Sequence, residues 1–141
     1  MKILLANKFH YIKGGSETYY FSLGKLLEKM GHEVIYFSMK DKRNVPCAQE
    51  KYFVENVDFN ALKGPAQTAK ASMNLLYSIE AGRKFAKLLD DEKPDIIHLN
   101  IFQSQLTGSI VDAAYKRHIP MVYTAHDLKS VCPNYLMMHH Q

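Results

Sequence analysis

Three short apolar runs in this chain each end in a polar cluster. Lys2-Ile3-Leu4-Leu5-Ala6 leads into a loop that closes on Gly14-Gly15-Ser16-Glu17. Asp95-Ile96-Ile97-His98-Leu99 leads into Asn100, and Met121-Val122-Tyr123-Thr124 leads into Ala125-His126-Asp127. The first run, continuously apolar after Lys2, reads as a strand buried on both faces, as in parallel sheets. In an open parallel α/β sheet, ligands bind outside the carboxyl ends of the strands. If the three runs are neighbours, a glycine loop, two histidines and an aspartate face one crevice.

The segments between the runs read as helices. Residues 2–7 form the first strand. Ser16 is placed to cap a helix on which Tyr20, Leu23, Leu27 and Met30 recur at helical spacing. Gly31 supplies a left-handed stop, and Glu33–Ser38 follow as a second strand. Residues 40–65 are polar and hold Pro46, Gly64 and Pro65, with Lys51–Val54 as a short edge strand. Residues 66–91 read as helical with an irregularity near 72–78. Ile79, Gly82, Phe85, Ala86 and Leu89 mark the buried stripe, and Lys93-Pro94 stops it. Ser104 is placed to cap a further helix with Leu106, Ile110, Ala113 and Ala114 inward, and Pro120 opens the last strand.

This alternation predicts a Rossmann-like three-layer α/β sandwich with a mainly parallel sheet in the order 3-2-1-4-5. No helix follows the last strand before Gln141, so the expectation is a domain truncated at its C-terminal side.

Composition narrows the function classes. With 141 residues, 47% of them hydrophobic and 23% charged, the chain fits one globular domain. The net charge of +4 favours an anionic ligand or membrane surface, or reflects a lysine-rich solvated face. Cys47 and Cys132 are far apart and in no CxxC pattern, which argues against a disulfide scaffold or zinc cage and fits a reducing cytosol. The N-terminal apolar core is too short for a signal peptide. No run approaches the roughly 20 apolar residues of a membrane span, so any membrane association is expected to be peripheral.

The candidate site residues lie at the strand ends. Gly14-Gly15 before a helix places free N–H groups where a phosphate can approach, or else serves a turn that needs positive φ. The pair is not GxGxxG, and nothing matches a P-loop. His98, near the end of an apolar strand, is either a satisfied core histidine or a crevice residue. His126 directly follows a strand and can bond a sugar hydroxyl or stabilise developing charge. Asp127 either orients that ring or caps the next turn. His10, His32 and the adjacent His139-His140 lack metal-ligand spacing. No GxSxG elbow supports hydrolysis. Tyr19, Tyr20 and Phe21 read as core and rim of the first helix, not as a base-stacking platform, and no nucleic-acid motif is present.

Taken in order, Gly14-Gly15-Ser16-Glu17, Gly31-His32-Glu33-Val34, Lys93-Pro94-Asp95-Ile96-Ile97-His98-Leu99-Asn100 and Tyr123-Thr124-Ala125-His126-Asp127 resemble the N-terminal domain of GT-B-type retaining glycosyltransferases of family four. The resemblance runs from Met1 to about Pro133. It implies two Rossmann-like domains facing a cleft, the N-terminal one on the acceptor side. A C-terminal domain then binds the nucleotide-diphosphate sugar, and no metal or other cofactor is required. The sugar passes with anomeric retention to an acceptor such as a polysaccharide or lipid-linked glycan.

By the resemblance, His126 is the catalytic residue, in contact with the donor sugar. Gly14, Gly15, Ser16, Glu17, His98, Asn100 and Asp127 are substrate-side residues, the glycine loop touching donor phosphates or acceptor and His98 leaning to a structural role. The partners implied are the nucleotide-sugar donor, the glycan or lipid-linked acceptor and the protein's own C-terminal domain. The location implied is cytoplasmic, with peripheral contact at the inner membrane face. The family's basic pair and paired glutamates belong to the C-terminal domain, so this chain alone is expected to be inactive. The alternative is a non-catalytic or differently catalytic flavodoxin-like binding module.

Overall fold

Residues 1–56, 77–103 and 106–127 are described by the computed structural model. Four strands, β1 (Lys2–Ala6), β2 (Glu33–Phe37), β3 (Ile96–Leu99) and β4 (Met121–Tyr123), form one sheet in the order β2-β1-β3-β4. All three pairings are parallel. Leu5 lies opposite Tyr36 on one side and His98 on the other, and Leu99 lies opposite Tyr123.

Alternation along the strands sends side chains to two faces. Leu4, Ala6, Ile35, Phe37, Ile97 and Leu99 pack with α2 (Ile79–Glu92) and α3 (Ser109–Tyr115). Ile3 and Leu5 pack with Tyr20 of α1 (Gly15–Lys29) on the other face. The three layers are therefore as expected. Tyr20 and Gly24 form the buried row of α1, while Met30 at its end is exposed. Gly31, at φ +85°, ends α1. Its N–H donates to the Glu28 carbonyl and that of His32 to the Leu27 carbonyl, which satisfies two carbonyls of the last turn.

Several expectations are corrected. Lys51–Val54 is not a strand. Glu50–Tyr52 wind into a 3₁₀ turn, with the Tyr52 and Phe53 amides donating back to the Gln49 and Glu50 carbonyls. Only Val54 reaches the sheet, through a single parallel bridge to Met39. The sheet thus keeps the predicted order without its outermost member. Ser16 does not cap α1: Gly14 is the N-cap residue and has no side chain to accept from the first amides. Ser78 caps α2 instead, its side chain accepting from the Ala81 amide at 3.1 Å. Ile79 is 75% exposed, and the stripe of α2 runs through Ala81, Phe85, Leu88 and Leu89. The expected helical residues 66–76, the Ser104 cap, Cys132 and His139-His140 lie outside the described residues.

Gly82 sets the spacing of α2 and α3. A Cβ there would lie 3.1 Å from the Ser109 Cβ and 3.4 Å from the Ser109 carbonyl oxygen. Gly82→Leu is expected to force the helices apart and cost about 1–3 kcal/mol. Denaturant unfolding measures this, and an unchanged midpoint would show that the helices do not need that approach.

Candidate functional site at the carboxyl edge

The parallel order brings the ends of β1, β3 and β4 side by side, each continuing into a polar loop. The first two loops are stitched together by two buried asparagines. The Asn100 amide donates to the Ala6 carbonyl at 2.9 Å, and the Lys8 amide to the Ile101 carbonyl at 2.6 Å. The Asn7 side chain accepts from the Ile101 amide at 3.1 Å and donates to the Phe9 carbonyl at 2.8 Å. Asn7 went unassigned in the sequence, although it stands where the first apolar run turns polar.

His98 and His126 meet above this stitch. His98 Nε2 bonds the Thr124 hydroxyl at 2.7 Å, and His126 Nε2 bonds Asn100 Oδ1 at 3.0 Å. Tyr19 stands edge-on to both rings, 5.1 Å from His126 and 6.5 Å from His98 between centroids. Burial lowers the pKa of His98, and the neighbouring His126 lowers it further. Tyr19 is 40% exposed and belongs to the crevice, not only to the rim of α1. Its signal in the sequence was its place one helical turn after Gly15.

The other predicted residues fall into three groups. Asn100 is 0% exposed and meets the crevice through His126. Asp127 follows on the same loop, next to the ring whose Nε2 bonds Asn100. Glu17 is 3% exposed, accepts from the Ser16 hydroxyl at 3.0 Å, and sits over the start of α1, where a Cβ on Gly14 would be 3.7 Å from its carboxylate.

The glycine pair does not serve a strained turn. Gly14 has φ −166°, extended backbone that any residue adopts, and Gly15 is helical. A Cβ on Gly15 would meet nothing within 4 Å. Open space in front of the helix, and not positive φ, is what this pair provides.

His10 lies apart from the crevice, in an aromatic cage. It is 1% exposed, bonds the Tyr20 hydroxyl through Nδ1 at 2.9 Å, and is ringed by Phe21, Tyr36 and Phe53. Burial pushes its pKa down to about 4. Among the described residues, no group of three or more His, Cys, Asp or Glu stands close enough to hold a metal ion. No described helix is long and apolar enough to cross a membrane.

An edge that joins a glycine loop at a helix start to two strand-end histidines and an aromatic ring can hold a polyhydroxylated ligand, with the rings as hydrogen-bonding and stacking groups. No curated protein matches the chain. The family model described as Glycosyltransferase Family 4 does match it, over residues 13–140. That span takes in the glycine loop, both histidines and every strand but the first, and with the parallel α/β sheet it makes this chain a member of that family, a GT-B-type glycosyltransferase N-terminal domain.

Proposed function

We propose that the chain is the acceptor-side domain of an enzyme that moves a sugar, with retention, from a nucleotide-diphosphate sugar to a glycan or lipid-linked acceptor. The observation that carries this reading is the meeting of His126, His98 and Tyr19 beside the open start of α1. A second α/β domain, opposite this edge, would bring the donor and the groups that neutralise its diphosphate. His126 would touch the sugar, and no metal would take part. Transfer measured in the two-domain enzyme against a panel of nucleotide sugars tests the proposal. Turnover with none of them would favour the non-catalytic binding module.

The glycine loop fits acceptor hydroxyls better than donor phosphates. The Glu17 carboxylate already lies over the N-terminus of α1, so a phosphate there would meet a like charge. In the two-domain enzyme, Gly15→Val is expected to cut transfer at least tenfold, because its side chain enters the open space the ligand would use. Stability should change by less than about 1 kcal/mol, since the position is helical and uncrowded. Kinetics and thermal melts on the same variant check this, and full activity would reduce the pair to a simple helix start.

A cytoplasmic, peripheral membrane setting fits the rim of the same loop. Ile12 is 68% exposed, and cations line the neighbouring rings: Lys13 over Phe9 at 4.3 Å and Arg43 over Tyr11 at 4.1 Å. Apolar and basic groups side by side suit an anionic lipid surface, where a lipid-linked acceptor would reside.

A further inference from the structure

We propose that Asn100 is a positioning residue that holds His126 with its proton on Nε2 and presents the bare Nδ1 to the ligand. Two contacts carry this. His126 Nε2 lies 3.0 Å from Asn100 Oδ1, an oxygen that only accepts, so the ring nitrogen must donate. The orientation of the Asn100 amide follows from its other side: Nδ2 points at the Ala6 carbonyl at 3.5 Å, which turns Oδ1 toward the ring. Asn100 is 0% exposed, and its own amide N–H donates to that carbonyl at 2.9 Å, so its backbone is pinned between β1 and β3 and its carboxamide has no open solvent to turn into.

The consequence is chemical. A neutral imidazole donates at one nitrogen and accepts at the other. With Nε2 committed to Asn100, Nδ1 has no bonding partner among the described residues, while the ring remains partly exposed at the crevice. His126 then receives a hydrogen bond from a ligand hydroxyl instead of donating one. The ligand class this selects is a polyol, such as a sugar hydroxyl group, over a bare oxyanion. The groups facing the ring are His98 from the end of β3 and Tyr19 from α1, and Asp127 is the next residue on its own loop. This assignment to a ligand rests on the transferase reading above, but the tautomer itself does not.

The test is nitrogen-15 NMR of the histidine rings in the 141-residue chain, with and without Asn100→Asp. In the unchanged chain, His126 is expected to show a protonated Nε2 and an unprotonated Nδ1. A proton on Nδ1 would overturn the proposal, and this measurement needs no variant to fold. Asn100→Asp keeps the shape and puts a carboxylate on the Nε2 proton, so His126 should titrate about one pH unit or more higher. An unmoved titration in a variant with a native spectrum would also overturn it. In the two-domain enzyme, the acid limb of kcat/KM should move upward with the same substitution. Absence of sugar transfer by the unchanged enzyme would sink the transferase reading and leave the tautomer result standing.

Discussion

If the chain is the acceptor-side half of a two-domain sugar transferase, as proposed, replacing His126 by alanine in that enzyme is expected to lower kcat and kcat/KM together, by on the order of 10²-fold or more. The ring sits at the end of a β4 that pairs directly with β3, and it is held from below by Asn100 and from the side by Tyr19. A group held this way spends no binding energy on ordering itself as charge develops on the sugar. Steady-state kinetics separate the readings. Ground-state sugar binding alone would raise KM and keep kcat. A purely structural ring would lower the melting temperature and leave turnover per folded molecule unchanged. Wild-type turnover in His126→Ala would end the catalytic assignment.

Acidification from pH 6.5 toward pH 4 is expected to remove about 3 kcal/mol of stability through His10 alone. The unfolded chain takes up a proton near the ordinary histidine pKa of 6.5, whereas the folded imidazole resists it down to about 4. Between those values the unfolded state binds more protons, so stability falls as pH falls and levels off above about pH 7. The cause is the dry cage of Tyr20, Phe21, Tyr36 and Phe53, which offers the cation no counter-charge. The His10 carbonyl also accepts from the Val45 amide, which ties the loop that leads to Gly14 to the segment after β2. Denaturant unfolding at several pH values measures the slope. His10→Gln keeps a polar partner for Tyr20 and does not titrate, so its profile should be flatter over that window. Parallel profiles for the two proteins would show that His10 is not the titrating group.

Much of the fold was legible because it depends on neighbours in the chain. Continuous apolar runs of four or five residues mark parallel strands, and all three singled out at the start are in the sheet, although the edge strand β4 leaves Val122 and Tyr123 exposed. Gly31 ends α1 because only a residue tolerant of positive φ can turn the chain there. Lys51–Val54 has the look of a strand, but local 3₁₀ bonds take up its donors first. The stripe of α2 is offset as well. Ile79 is apolar, but at about 100° per residue it stands about 180° from Leu88 and about 200° from Ala81, so it faces away from the buried stripe.

The candidate site divides the same way. By itself the sequence determined that a glycine loop and two histidines stand at or just beyond strand ends, because strand runs and their polar ends are local patterns. Only the tertiary structure decided what each group does there. Asn100 and His126 are 26 positions apart, and their bond exists because β3 and β4 pair in one register. A shift of one residue would turn His98 to the opposite face and part it from Tyr19. Tyr19 reaches the histidines because α1 packs on the face that His98 shares with Leu5. His10 and His126 are the same residue type, each near a strand end. One is walled in by four aromatic rings, and the other is left partly open beside a hydrogen-bond acceptor, a difference made by packing between distant segments.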